Sequence, residues 1–340
     1  MTAVVALGGN ALARRGEPIS AEVQRRNVER AANALIPLLD GDRPVVITHG
    51  NGPQVGLLLL ESEADPAVRT YPLDVLGAET EGMVGYLLEQ ALIRHAPHRR
   101  YATLLTQTVV DPADPAMAEP SKPVGPLYDE PTARRLEAEL GYAVAPDTGG
   151  WRRVVPSPKP LRLLEEQAIR DLVETGTTVI AAGGGGVPVV VDADGRPRGV
   201  EGVVDKDLAA VVLARTVGAR TLLLLTDVDG VYRDFGAPTR ARIGRLDATG
   251  AWKLLADGQV ARGSMAPKVE AAAAFAGFGG TTMIGSLDQV QDLLAGRAGT
   301  VIVPHGHRRT PPSRERAGDL AGESGSAPMA EPAVSERMGT

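Results

Sequence analysis

Lysine is scarce in this 340-residue chain. Lys122, Lys159, Lys206, Lys253 and Lys268 are its only lysines, and three of them stand beside glycine, proline or aspartate: Ser121-Lys122-Pro123, Asp205-Lys206-Asp207 and Pro267-Lys268. Where a chain otherwise uses arginine, a lysine in such a place points to a need for a compact point charge. The alternative at each position is an ordinary solvent-facing side chain. Three glycine-rich stretches accompany them, namely Gly8-Gly9-Asn10, Gly50-Asn51-Gly52 and Gly183 to Gly186. Glycine keeps no side chain between a ligand and the backbone amides, so an anion can approach closely; the alternative is a set of tight turns. Amides and ammonium groups together suit phosphoryl transfer, where charge on the moving group must be neutralised.

The elements between these stretches place them at strand ends. Ala3 to Leu7, Pro44 to Thr48, Tyr101 to Thr106, Thr177 to Ala182 and Thr221 to Leu225 are short apolar runs that read as buried strands. Helical spacing runs from Glu22 to Leu39, Val55 to Leu60, Leu76 to His95, Leu208 to Val217 and Val269 to Phe278; Leu161 to Glu174 resumes the α/β pattern after the proline-rich stretch, and Thr281 to Ile284 and Thr300 to Val303 close it as strands. Strands alternating with helices imply an α/β fold with an open, mostly parallel sheet sandwiched by helices. Ligands in such sheets lie beyond the carboxyl ends of the strands, so all three glycine loops line one crevice. Val187 to Val191 and Gly199 to Val204 flank Asp194-Gly195 as a hairpin. Asp205 is also a natural N-cap for the helix it precedes. Residues 109–158 are proline-rich, with a helix from Glu130 to Leu140, and read as a small subdomain that protrudes from the sheet and moves relative to it.

Composition excludes several classes. A net charge of −6 and 3% aromatic residues argue against a nucleic-acid partner. Without cysteine there is no disulfide, thiolate metal site or cysteine nucleophile. No apolar run approaches the roughly 18 residues of a membrane span, and Thr2 to Leu7 is no signal peptide; a cytoplasmic protein is expected. From Pro304 onward the residues include one Leu, one Val and no aromatic, so 304–340 is expected to be a disordered tail. No Gly-x-x-x-x-Gly-Lys-Ser/Thr, no helix-opening Gly-x-Gly-x-x-Gly and no Gly-x-Ser-x-Gly occurs.

Read together, the stretches resemble the carbamate kinases of the amino-acid-kinase superfamily. The segments that carry the likeness are Val4 to Leu12, His49 to Gly56, Pro72 to Ala78, Ser121 to Pro126 and Arg153 to Pro158, followed by Gly183 to Val189, Val203 to Ala210, Leu225 to Val228 and Gly263 to Lys268. They occur in order over residues 3–303. Other kinases of the superfamily carry a lysine just before the first glycine pair; here Ala6-Leu7 precedes Gly8, as in carbamate kinases, which supply a lysine from a protruding subdomain. Lys122 matches that lysine. Ser121 departs from the family's usual Thr, and the tail is an addition.

The resemblance implies reversible phosphoryl transfer between ATP and carbamate, with Mg²⁺ accompanying the nucleotide, no dedicated metal cage, and a homodimer. By carry-over, Lys122, Lys206, Asp207 and Lys268 are catalytic. Gly8, Gly9, Asn10, Gly50, Asn51 and Gly52 surround carbamate and the transferred phosphoryl. Gly183, Gly184, Gly185, Asp227, Tyr232, Ser264, Met265 and Pro267 line the nucleotide side. The implied layout is one kinase domain over residues 1–303, with a carbamate lobe at 1–176 and a nucleotide lobe at 177–303. His49 is expected to hydrogen-bond locally. Two alternatives stay open: a kinase of this fold acting on a larger carboxylate, or a catalytically silent nucleotide-binding protein.

Overall fold

Ala3–Leu7 is apolar and buried at every position, so it needs a neighbour on each edge and a layer on each face. It has both. The computed structural model describes residues 2–12, 16–18, 20–63, 71–260 and 265–306, without the side chains of Asn10, Ala11 and Glu63. In it Ala3–Leu7 lies inside an eight-stranded sheet. From edge to edge the strands are Arg245–Asp247, Thr300–Val303, Thr281–Ser286, Thr221–Thr226, Ala3–Leu7, Val45–His49, Thr178–Ile180 and Tyr101–Thr103. Every neighbouring pair is parallel except Thr281–Ser286 with Thr300–Val303.

The period of two in the strands sorts their side chains into two cores. Val4, Ala6, Val46, Leu222 and Leu224 face one apolar layer, with the helices Lys206–Thr216, Ala248–Ala256 and Met265–Gly277. Val5, Leu7, Ile47, Leu223 and Leu225 face the other, with Ala21–Leu39 and Leu73–His95. Each fully buried Val or Leu contributes about 1.5–3 kcal/mol relative to exposure, and a one-residue slip would exchange the two faces. That fixes the register and brings the strand ends level. Thr178–Ile180, assigned from the sequence to the nucleotide lobe, pairs with Val45–His49 and Tyr101–Thr103 of the N-terminal part. One sheet thus runs through both lobes.

Three expected strands are shorter or displaced, the first being Thr177 to Ala182, which contracts to Thr178–Ile180. Tyr101 to Thr106 ends at Thr103, because the Thr106 hydroxyl donates to Leu104 O and accepts from Ala182 N, turning the chain out of the sheet. It resumes as Gln107–Val110 in a second, four-stranded sheet with Pro197–Gly199, Val187–Val191 and Pro160–Leu163. The hairpin across Asp194-Gly195 forms, but its second strand is Pro197–Gly199 rather than Gly199 to Val204. Val203 N donates instead to Pro156 O (3.0 Å), which draws that segment toward the proline-rich insertion.

The insertion has its own sheet, in the order Lys122–Tyr128, Gly150–Val155, Ala143–Asp147, and its helix Glu130–Leu140 starts on the Asp129 cap and stops at left-handed Gly141. Val109 and Val110 belong to the second sheet, so the separate piece begins after them. It is anchored to the body of the protein through a small apolar cluster, in which Val124 and Val155 pack with Val55, Leu59, Leu73, Leu76 and Val203. Of the expected tail, Pro304 to Gly306 are described, with His305 Nδ1 3.6 Å from Asp247; residues 307–340 lie outside the described residues.

Candidate active site

The first two glycine stretches meet where Ala3–Leu7 ends. Gly8 N donates to Leu225 O (2.8 Å) and Gly50 N to Leu7 O (2.9 Å), continuing the ladder past the last strand residues. A Cβ on Gly50 would lie 2.6 Å from Gly9 N and 2.8 Å from Gly9 Cα, so glycine is demanded by one loop's backbone lying on another's. The four-glycine turn closes on the same place. A Cβ on Gly184, which has φ of 68°, would overlap the Asn51 carboxamide, and one on Gly183 would lie 2.5 Å from His49 Cε1. Gly185 N and Gly186 N bond within the turn, to Ala182 O and Gly183 O at 3.0 Å each. Those two amides are occupied, and the glycines serve close packing of the loops. Gly9 is half-buried against Pro53, and Gly52 opens the helix Gly52–Glu63 with open space around it.

The lysines converge beside these loops. Asp205 caps the Lys206–Thr216 helix through Oδ1, which accepts from the backbone N of Asp207 (2.9 Å) and Leu208 (3.4 Å). Its other oxygen accepts from Lys122 Nζ at 2.7 Å, eighty-three residues away in sequence. Capping and charge pairing are therefore done by one carboxylate. Asp207 is buried and holds two ammonium groups, Lys206 on Oδ1 and Lys268 on Oδ2, the latter at 2.7 Å. Lys268 comes from the first turn of Met265–Gly277 and is 4% exposed. Burial alone would protonate Asp207, but the two lysines overcome it and hold its carboxyl well below the usual carboxylate range. Of the two lysines, Lys206 gives way. Burial lowers its pKa to about 8, opposed by Asp207 and reinforced by the charge of Lys268. For Lys268, burial is outweighed by Asp207, and its pKa rises.

Behind the glycines lie further polar residues, two of which, Thr80 and Glu81, sequence reasoning left without a role. His49 is buried with Nδ1 donating to Gly50 O (3.2 Å), and burial lowers its pKa to about 4. It is a neutral brace for the loop, as its local bond was expected to be. Asn51 Nδ2 donates to Thr80 Oγ1 (2.8 Å), whose hydroxyl donates to Gly77 O (2.8 Å). Glu81 is buried, with Oε2 accepting from Thr106 N (2.9 Å), and burial pushes its pKa well above the ordinary carboxyl value. A signal existed: Thr80 and Glu81 fall one helical turn from Leu76, Gly77 and Val84, at positions the spacing of Leu73–His95 turns inward.

The remaining candidates sit around the rim. Asp227 follows the Thr221–Thr226 strand and accepts from Thr226 Oγ1 (3.0 Å). Tyr232 lies in the Val231–Arg233 strand and its hydroxyl bonds Asp229 (2.9 Å). Met265 and Pro267 are half-buried in the first turn that carries Lys268. Ser264 and the side chain of Asn10 lie outside the described residues. Among the described residues, no group of His, Asp or Glu is arranged to hold a metal ion, and no helix is long and apolar enough to cross a membrane.

An open α/β sheet with closely packed glycine loops and a lysine–aspartate cluster at its strand ends suits the binding and transfer of a phosphoryl group. Residues 1–284 match the amino acid kinase family, and the chain belongs to that family. Within it, the chain is similar to carbamate kinases. It is 47% identical to that of Thermococcus kodakarensis over 310 residues, covering 88% of this chain and 98% of that protein. It is 45% identical to that of Haemophilus influenzae over 304 residues, covering 89% and 96%. The solved carbamate kinase of Giardia lamblia bound to AMP-PNP aligns with a TM-score of 0.82 at 38% identity, covering 89% of this chain and 98% of that one.

Proposed function

We propose that the chain is a carbamate kinase, transferring a phosphoryl group between carbamoyl phosphate and ADP to give carbamate and ATP, reversibly. The observation that carries this reading is the convergence of Lys122, Lys206 and Lys268 on the two aspartates beside the glycine loops. A terminal ADP oxygen attacks phosphorus, the bond from phosphorus to the carbamoyl oxygen breaks, and carbamate leaves as an anion. No proton has to move in either direction, so no general base is required, in keeping with a buried, neutral His49. What the reaction demands is that two anions be brought together and the charge on the moving group be balanced.

Lys206 and Lys268 contact phosphoryl oxygens in this reading, and Asp207 keeps both charged side chains in place. Lys122 exchanges its Asp205 contact for the phosphoryl group when substrates are bound. Gly8, Gly9, Asn10, Gly50, Asn51 and Gly52 surround carbamate and the phosphoryl, with Asn51 oriented by Thr80. Gly183, Gly184, Gly185, Asp227, Tyr232, Ser264, Met265 and Pro267 line the nucleotide side. Mg²⁺ enters on the nucleotide phosphates and water, which suits a site whose Asp205 and Asp207 are already paired with lysines. The layout in this reading is that of one kinase domain over 1–303. We also assign a cytoplasmic setting, where ADP and ATP are at hand, and a homodimer; exposed Val75, Tyr86 and Ile93 along the outer side of Leu73–His95 offer a surface for a second copy.

A coupled assay of ATP formation from carbamoyl phosphate and ADP tests the function. ATP formation is expected. Nucleotide binding without turnover, or turnover only with the acyl phosphate of a larger carboxylate, would overturn it.

A further inference from the structure

Glu201 joins three parts of the molecule that the chemistry needs in register. It lies four residues before Asp205, on the segment leading into the Lys206–Thr216 helix. Its Oε2 accepts from Leu73 N (3.0 Å), the first amide of Leu73–His95. That helix begins at Pro72, which has no capping side chain, so a carboxylate from another loop satisfies the amide and sits at the positive end of the helix dipole. Its Oε1 accepts from Arg153 Nη2 at 2.5 Å. Arg153 belongs to the central strand of the insertion, is buried, and has its guanidinium carbon over the Tyr142 ring, 3.8 Å from the centroid. Two residues further along the same strand, Val155 is the register partner of Lys122.

The insertion is thus tied to one five-residue segment at both ends: Arg153 to Glu201, and Lys122 to Asp205. Between them the backbones touch directly, with Val203 N on Pro156 O (3.0 Å) and a Cβ on Gly202 only 2.9 Å from that same oxygen. The two ties differ in kind. Lys122 is a half-exposed side chain able to leave Asp205 for another anion, whereas Arg153 is buried, lies over the Tyr142 ring and is held by Glu201, a half-exposed carboxylate whose other oxygen is bonded to a helix.

We propose that Glu201, gripping Arg153, is a positioning residue that seats the insertion on the segment before the lysine–aspartate cluster, so that Lys122 reaches the phosphoryl group. The proposal rests on the reading of Lys122 as a phosphoryl contact. Glu201 touches no substrate; it acts by fixing where the Lys122 strand sits. A displacement of about 1 Å in a charged contact costs on the order of 10²-fold in rate, which sets the scale for losing the seat.

The test is a mutant cycle on ATP formation from carbamoyl phosphate and ADP, using Glu201→Gln, Lys122→Ala and the double variant, with thermal unfolding recorded for each. Glutamine keeps the shape but can no longer serve both Arg153 and Leu73 N with carboxylate oxygens. Glu201→Gln should lower kcat roughly 10- to 100-fold with little change in KM for ADP, and should add almost nothing to the loss already caused by Lys122→Ala, as expected of residues acting through one contact. Arg153→Met approaches the same tie from the other side and should reproduce that pattern if Glu201→Gln fails to fold. Multiplying losses in the double variant, or a Glu201→Gln with wild-type kcat beside a damaged Lys122→Ala, would overturn the proposal alone. Wild-type turnover in Lys122→Ala would remove the underlying reading as well.

Discussion

Replacing Asp207 by asparagine removes the one carboxylate that keeps two buried ammonium groups together. Lys268 Nζ is 2.7 Å from Asp207 Oδ2, and Lys206 contacts the other oxygen. At an effective dielectric constant of about 20, a pair at that separation attracts by roughly 6 kcal/mol before desolvation is counted. Desolvation offsets part of this, and breaking a buried pair by removing one partner costs about 3–5 kcal/mol. At roughly 1.6 °C per kcal/mol for a domain of about 300 residues, Asp207→Asn should melt about 5–8 °C lower.

The kinetic effect has a definite sign. With Asp207 present the pKa of Lys206 is about 8, so wild-type ATP formation should decline as pH rises through that value and the ammonium is lost. Without Asp207, burial and the charge of Lys268 favour the neutral amine and only the charge of Asp205 still opposes them, so the decline should move to lower pH. Stability follows the opposite course in the wild type. Between about 8 and the ordinary lysine value of 10.5 the folded state binds fewer protons at Lys206 than the unfolded chain, and that contribution to stability grows with pH. An alkaline loss of turnover without a matching fall in melting temperature therefore reports Lys206, not unfolding. A pH profile of the coupled assay beside melting curves at each pH decides it. An Asp207→Asn variant with the wild-type alkaline limb and melting temperature would refute the reasoning.

Lys122→Ala should lose roughly 10²–10³ in turnover, the scale of one transition-state contact, while Lys159→Ala should stay near wild type, since Lys159 is 72% exposed and only 3.5 Å from Glu270; equal activity of the two in the coupled assay would discard the role of Lys122. Gly50→Ala forces a methyl group onto the Gly9 backbone and should cost about 1–3 kcal/mol in stability, whereas Gly52→Ala, with nothing within 4 Å of its Cβ, should leave the melting temperature near wild type. Glu81→Gln should gain on the wild type in melting temperature as pH rises above the ordinary carboxyl value, because a buried carboxyl with a raised pKa loses stabilisation as pH climbs toward that pKa; a pH-independent difference would show that Glu81 does not titrate in this way.

Local pattern carried much of this far. Ala3–Leu7 and Thr221–Thr226 are apolar runs that had to be buried on both faces, and the helix Glu130–Leu140 announces both its ends with Asp129 and Gly141. The failures are all tertiary. Tyr101 to Thr106 looks like one strand until the Thr106 hydroxyl finds Ala182 N, seventy-six residues away. Gly199 to Val204 has strand composition, yet Pro156 O captures Val203 N and no strand forms there. The glycines of 183–186 were legible as a tight loop, but their reason was not, since Asn51 and His49 press against them only in the folded chain. Asp205 looked like a helix cap and is one; that its second oxygen holds Lys122 depends on how the insertion is seated.

The charges around the strand ends explain why this arrangement needs its aspartates at all. His49 is neutral, and Glu81 is pushed toward its protonated form, so neither adds charge behind the glycine loops. In front of them stand three ammonium groups, Lys122, Lys206 and Lys268, against two carboxylates, Asp205 and Asp207. The two buried lysines, Lys206 and Lys268, would be pushed toward the neutral amine if left without a carboxylate. Fully matched ones would have no pull left for a phosphoryl group. An excess of one positive charge is a compromise between the two, reinforced by the helix N-terminus on which Lys206 stands and the first turn that holds Lys268. The two carboxylates divide the work: Asp207 holds its lysines within the folded core of the site, and Asp205 holds the one lysine that arrives from outside the main sheet. The lysine set at the cluster is thus complete only while the insertion is seated.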